Sequence, residues 1–190
     1  MKYQLIFMWL YVLTVYVPFC IIMFSRHYVS VSSISVIGWF SGGLHYLTLY
    51  LVLTLPFCLY QLFFLNSHFA GNYKWVYIAS VISCIFITIG GFIPLRRGEQ
   101  YLFVNAVHEL VSVGSTIIFM LIILATLILC ARKSKRRVLF FSLCGIFPAV
   151  LLTGFIVLWT SALFQLAATL SFLFILLCVN TVFARLDGKQ

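Results

Sequence analysis

Apolar residues occur along the chain in six long blocks, which are separated by short polar segments. About 20 apolar residues are needed to cross the hydrocarbon layer of a bilayer. The pattern therefore predicts membrane spans near residues 4–24, 44–65, 75–95, 108–131, 138–158 and 161–184. Strands of a membrane barrel alternate apolar with polar residues, and these blocks do not. Each block is predicted to be a helix, because a helix satisfies its own backbone groups inside lipid.

The composition supports this interpretation. Of the 190 residues, 64% are hydrophobic and 8% are charged, whereas soluble domains carry about 25% charged residues. The polar residues are too few to cover a water-soluble globule. We expect one all-α integral membrane domain over residues 1–190, a multi-pass bundle of six helices in a plasma or inner membrane.

Lysine and arginine are concentrated on one side of the predicted bundle. If the N-terminus is cytoplasmic, nine of the twelve basic residues lie inside, and Arg26, Arg96 and Arg97 lie outside. Cytoplasmic loops of membrane proteins carry an excess of basic residues. The sequence therefore predicts that both termini are cytoplasmic.

The loop between spans four and five contains most of this charge, in Arg132, Lys133, Lys135, Arg136 and Arg137. Such a cluster fixes topology and contacts anionic headgroups, at about 1 kcal/mol per basic residue. The alternative is a docking site for an acidic partner or a phosphoinositide-like lipid. The net charge of +9 indicates a membrane surface, and no basic soluble domain is present to bind nucleic acid.

Polar residues recur at helical spacing where span four begins on the predicted outer side. If its helix begins before Asn105, then Asn105, His108, Ser112 and Ser115 share one face, and Glu109 lies beside it. Ionisable residues near the hydrocarbon tend to face the protein interior or a water-filled cavity. His108 and Glu109 are therefore the candidate catalytic residues.

Three histidines lie near the predicted outer ends of their segments. His27, His45 and His108 would supply three zinc ligands and leave an open position for water, with Glu109 as the general base. No H-E-x-x-H motif is present, and the alternative is that His108 bonds a neighbouring helix or a headgroup. On that alternative no cofactor is expected. The six cysteines lie inside apolar blocks without metal-ligand spacing, which predicts packing roles.

Small and polar residues inside the spans predict helix contacts. Ser80, Cys84 and Thr88 repeat every four residues, as do Gly145, Ala149 and Thr153. Four further polar residues are expected to form hydrogen bonds between helices: Gln61, Gln165, Thr169 and Asn180.

Two short motifs add a family resemblance. Ile34-Ser35-x-x-Gly38 lies between spans one and two, and Gly91-Phe92-Ile93-Pro94 ends span three before His108 opens span four. With six spans over nearly the whole chain, these motifs resemble the membrane family called domain of unknown function 998, related to the FRAG and DRAM proteins. Its members often carry an acidic residue in the first motif and an arginine near the start of span six. This chain has Val36-Ile37 and Gln165 there. The resemblance implies no established reaction, only that the external region around His108 matters.

These observations favour a non-enzymatic membrane protein that acts through lipid or protein contacts, as a partner, a sensor or an immunity-type factor. Its partners would be the bilayer, another membrane protein or a second copy of the chain. One alternative is a membrane-embedded hydrolase or lipid-modifying enzyme with an outer-face His/Glu site. A second is a small-solute pore or carrier, although no acidic residue lies mid-span.

Overall fold

The computed structural model describes residues 2–25, 39, 44–96, 98–133, 137–158 and 162–187. These residues are helical apart from short turns and include no strand. The predicted all-α fold is therefore confirmed for the described part of the chain. The motif Ile34-Ser35-x-x-Gly38 and the residues Arg26 and His27 lie outside it.

Seven α-helices and three short helical turns follow one another in the described residues. They are α1 (Lys2–Tyr11), a π-helical turn (Val12–Tyr16), α2 (Val17–Phe24), α3 (Leu44–Leu65), a second π-helical turn (Asn66–Ala70), α4 (Lys74–Phe92), a 3-10 turn (Glu99–Tyr101), α5 (Leu102–Lys133), α6 (Arg137–Leu158) and α7 (Ala162–Asp187). Each helix follows from an apolar run that lacks alternation.

Four helical segments are long and apolar enough to cross a membrane: Tyr3–Ile22, Leu44–Ala70, Lys74–Phe92 and Glu99–Lys133. Large apolar side chains such as Phe103, Leu110 and Val138 are exposed on the helices. A water-soluble protein rarely exposes contiguous apolar surface of this kind, so the segments belong to a membrane protein.

The chain divides into two compact units, of which the first comprises Met1–Ile37 and Ile146–Gln190. In this unit α1 lies against α7. The Tyr16 hydroxyl donates a hydrogen bond of 2.9 Å to the Leu166 carbonyl. This bond gives the phenol of a membrane helix a partner that lipid does not supply.

The second unit comprises Gly38–Gly145 and contains α3, α4 and α5. Short turns join these helices, so successive helices run in opposite directions, and α4 packs along α5. Leu62, Val76 and Leu127 are fully buried. Gly90 permits a close approach, because a Cβ on Gly90 would lie 2.7 Å from the Ser112 Cα.

The two predicted stripes of small residues have different outcomes. On α4, Ser80 and Cys84 are buried and Thr88 is half-buried, as expected for a contact face. On α6, Gly145 and Ala149 are exposed, so the predicted contact is wrong for these two residues. Spacing alone does not distinguish a small residue under a neighbouring helix from one that faces lipid.

The largest difference from the predicted spans concerns the start of α5. This helix begins at Leu102 instead of residue 108, after a turn in which Gly98 has a φ of 117°. The first two turns of α5 contain the polar residues Asn105 and His108, and both bond the segment that precedes the helix. We name the two ends of the second unit by their residues. The His108 end comprises residues 93–96 and 98–109, and the Lys133 end comprises residues 66–74, 130–133 and 137.

Candidate functional site

His108 lies at the start of α5, and 3% of it is exposed. Its Nδ1 is 2.8 Å from the carbonyl oxygen of Ile93, which follows the end of α4. Because a carbonyl oxygen only accepts hydrogen bonds, Nδ1 must carry the hydrogen. In the neutral ring the lone pair then lies on Nε2. His108 thus joins α5 to the end of α4, which agrees with the expected bond to a neighbouring helix.

Asn105 makes a second connection one turn earlier. The Arg96 backbone N–H donates to Asn105 Oδ1 at 3.1 Å, and Asn105 Nδ2 donates to the Arg96 carbonyl at 2.8 Å. The guanidinium carbon of Arg96 lies 5.1 Å from the centre of the Tyr101 ring. A side-chain amide therefore pairs with both backbone groups of one residue, which fixes the turn between α4 and α5.

The predicted stripe of Asn105, His108, Ser112 and Ser115 does face α4 or its following turn, as helical spacing suggested. Glu109 is exposed. Consecutive residues point about 100° apart around a helix. The structure therefore places His108 on the buried face and does not bring the Glu109 carboxylate onto that face.

The other predicted zinc ligands are not brought together by what the structure describes. His45 is exposed, with its ring centre 3.9 Å from that of Tyr46, and His27 lies outside the described residues. Among the described residues, no group of three or more His, Cys, Asp or Glu side chains is placed to hold a metal ion. The zinc hypothesis stays a prediction.

The Lys133 end contains the predicted headgroup anchor. Arg132, Lys133 and Arg137 are exposed, whereas Lys135 and Arg136 lie outside the described part of the chain. The Lys133 ammonium is 5.0 Å from the centre of the Tyr73 ring. It also lies against Gly71, where a Cβ would clash with Lys133 Nζ. Gly71 has a φ of 109°, a conformation that favours glycine.

Asn66 fixes the turn that carries Tyr73. Asn66 Nδ2 donates to the Tyr73 carbonyl at 2.9 Å, and the Tyr73 N–H donates to Asn66 Oδ1 at 3.1 Å. The Asn66 carbonyl accepts from the N–H groups of Gly71 and Asn72. This pairing repeats the pattern of Asn105 with Arg96 at the opposite end of α4. This pairing was not predicted from the sequence, although the turn dipeptide Gly71-Asn72 is a usable signal.

Polar groups inside α3, α4 and α5 are mostly satisfied within their own helix. The hydroxyls of Ser80 and Thr126 donate to carbonyls four residues earlier, at 2.6 and 2.8 Å. Gln61 differs, because it is 0% exposed and neither Oε1 nor Nε2 has a partner in the described structure. The predicted interhelical hydrogen bond of Gln61 is therefore wrong. The side chain of Asn180 is outside the part of the chain that the structure describes, so its predicted bond stays a prediction.

No family model, curated protein or solved structure matches this chain. The resemblance to the domain of unknown function 998 family therefore stays a prediction. Any functional conclusion depends on the geometry of the two ends of the second unit and on the helix surfaces between them.

Proposed function

We propose that the chain is a non-enzymatic, six-span protein of the cell membrane that binds anionic lipid headgroups through its Lys133 end. Four helical segments are long and apolar enough to cross a membrane. The remaining two would be α6 and α7, with 22 and 26 residues. At about 1.5 Å per residue, both exceed a hydrocarbon thickness of about 30 Å.

Orientation in this proposal follows from charge. With both termini in the cytoplasm, nine of the twelve basic residues lie on the cytoplasmic side. The Lys133 end then faces the leaflet that carries anionic lipids. The His108 end faces outwards, with Glu99 and Glu109, which are the two acidic residues between Gly38 and Gly145.

The placement of Lys133 is the main support for this proposal. Its ammonium lies over the Tyr73 ring and close to Gly71, and Arg132 and Lys74, the residues next to Lys133 and Tyr73 in the chain, are exposed. Glu99 and Glu109 follow α4, at the opposite end of that helix. The second unit therefore brings no carboxylate of its own to these cations, and a phosphate group from the bilayer would supply the missing negative charge.

The test compares lipid binding by variants that remove basic residues near either end of α4, where Lys133 and Arg96 each lie over a tyrosine ring. Full-length protein is placed in nanodiscs of phosphatidylcholine with or without phosphatidylglycerol, and bound phosphatidylglycerol is counted by native mass spectrometry. We expect the double change Arg132→Gln and Lys133→Gln to reduce affinity about 5-fold per residue, since each basic group contributes about 1 kcal/mol. Arg96→Gln is the matched control, because Arg96 also lies over a tyrosine ring.

Equal losses in Arg96→Gln and in the double variant would contradict a site at the Lys133 end. Binding that does not weaken with added salt would contradict its electrostatic basis. Orientation is tested separately, with green fluorescent protein or alkaline phosphatase fused after Gln190. Fluorescence without phosphatase activity is expected, and the reverse pattern would overturn the cytoplasmic C-terminus.

A further inference from the structure

A groove of about 540 Å³ lies between the middle of α4 and the first half of α5. Small-molecule sites in proteins typically measure about 300–1,000 Å³. Ala79, Ser83, Gly114 and Ser115 are the small residues of its lining, and exposed apolar side chains such as Leu110 form its rim. No charged residue contributes to the lining. The groove is therefore suited to a neutral and largely apolar molecule.

Ser83 is the exceptional residue of this groove. The other hydroxyls named along α4 and α5 donate to the carbonyl four residues earlier: Ser80, Thr88, Ser112, Ser115, Thr116 and Thr126. Ser83 is 4% exposed and lines the groove, and it makes no hydrogen bond among the described residues. A donor thus points into an apolar space without an acceptor.

The depth of Ser83 restricts what can supply that acceptor. Ser83 is the tenth of the 19 residues of α4, so it lies about 14 Å from either end of the helix. Lipid headgroups lie beyond the ends of a span of this length, and acyl tails offer no hydrogen-bond acceptor. A membrane-dissolved molecule with an oxygen on an apolar body would reach Ser83.

Gly114 leaves space for such a molecule. A Cβ placed on Gly114 meets no atom within 4 Å. Phe86 and Leu110 are exposed beside it, so the groove is open on that side. A partner helix would satisfy Ser83 through a polar side chain or through a backbone carbonyl, as the Leu166 carbonyl does for Tyr16, so a helix in the groove is one of the outcomes that the test below distinguishes.

We propose that this groove binds a neutral, membrane-dissolved lipid with a carbonyl oxygen, which accepts a hydrogen bond from the Ser83 hydroxyl. The apolar body of the ligand lies along Phe86, Leu110 and Gly114. The site is separate from the headgroup site at the Lys133 end, and neither depends on the other.

The test uses full-length protein in phosphatidylcholine nanodiscs and two probes. One is a long-chain ketone with a photoactivatable diazirine in its chain, and the other is the matched alkane, which has the diazirine but no carbonyl. Labelled residues are mapped by mass spectrometry across a range of probe concentrations. We expect saturable labelling by the ketone between residues 79–86 and 110–118.

Two variants with matched controls separate the roles of the hydrogen bond and of the space. Ser83→Ala is expected to weaken ketone binding about 2- to 12-fold, the value of one neutral hydrogen bond, without affecting the alkane. Gly114→Leu fills the groove and is expected to abolish labelling by both probes. Ser142→Ala and Gly145→Leu are the controls, because Ser142 is exposed elsewhere and a Cβ on Gly145 also meets open space.

Labelling that is identical in all four variants would show ordinary contact with bulk lipid and would overturn the proposal. Equal affinity for ketone and alkane would overturn the role of the carbonyl. Crosslinks from this groove to a second polypeptide, with no saturable ketone labelling, would show that a helix occupies it instead. Thermal unfolding of each variant separates loss of binding from loss of fold.

Discussion

Gln61 provides a direct test of how well the interior of the second unit is paired. The residue lies on α3, is fully buried, and leaves both polar atoms of its amide without a partner. An unpaired buried polar group costs about 1–3 kcal/mol. Met has a similar length and shape without the polar atoms. We therefore expect Gln61→Met to stabilise the protein by about 1–3 kcal/mol.

Two considerations set the expected size of the effect. The unfolded state of a membrane helix also finds hydrogen-bond partners, which reduces measured values towards the lower end of the range. For chains of about 150–250 residues, each kcal/mol changes Tm by about 2–4 °C. The variant should therefore unfold about 2–12 °C higher than the natural protein.

The free cysteines of the chain supply the assay. Cys58, Cys84 and Cys130 are buried and none is in a disulfide, so a thiol-reactive dye reports their exposure as detergent-solubilised protein is heated. Thr126→Val is the matched control, because Thr126 is equally buried but its hydroxyl donates to the Ile122 carbonyl. Its Tm should change by less than that of Gln61→Met. An unchanged or lower Tm for Gln61→Met would refute the reasoning and indicate that the amide has a partner.

Three further predictions concern the two ends of the second unit. Asn66→Ala removes two hydrogen bonds to Tyr73 and should lower stability by about 1–3 kcal/mol in the same thermal assay, whereas Asn105→Ala, at a more exposed turn, should lower it less; equal effects would contradict this. Gly71→Ala should destabilise by about 1–2 kcal/mol because of its positive φ, and should weaken phosphatidylglycerol binding by displacing Lys133; unchanged binding would contradict the second effect. Purified protein should contain no stoichiometric zinc by elemental mass spectrometry, and zinc lost on changing any of the three predicted histidine ligands would instead support the hydrolase.

Much of the helical framework could be predicted from the sequence, because the cost of unpaired backbone in lipid allows few alternatives. The bounds of α3 match the second predicted span at Leu44–Leu65. α4 ends at Phe92, earlier than residue 95, because Ile93 is extended before Pro94. α5 begins at Leu102, ahead of the fourth predicted span, so the condition that its helix begins before Asn105 is met.

Candidate site residues could be predicted only where their relative positions are fixed by a single helix. The spacing of Asn105, His108 and Ser112 was sufficient to place them on one face. The cation–π contact of Lys133 with Tyr73 joins residues sixty positions apart, and it depends on how α5 returns beside the α3–α4 turn. No periodicity within one helix contains that information. The missing partner of Gln61 has the same origin, because it depends on what the adjacent helices present at that depth.

Gln61 and Ser83 show why an unpaired polar group needs its surroundings before it can be interpreted. Both are nearly or fully buried, and neither makes a hydrogen bond in the described structure. The amide of Gln61 is enclosed by protein atoms, so no ligand can reach it, and removing its polarity should stabilise the fold. Ser83 lines an open groove of about 540 Å³, where we propose that a ligand binds, so removing its hydroxyl should weaken ligand binding. The same kind of missing hydrogen bond therefore predicts a higher Tm when Gln61 is replaced and a lower ligand affinity when Ser83 is replaced. If Ser83→Ala instead raised Tm and left ketone binding unchanged, the hydroxyl would be a second structural defect of the Gln61 kind and the groove would lose its polar anchor.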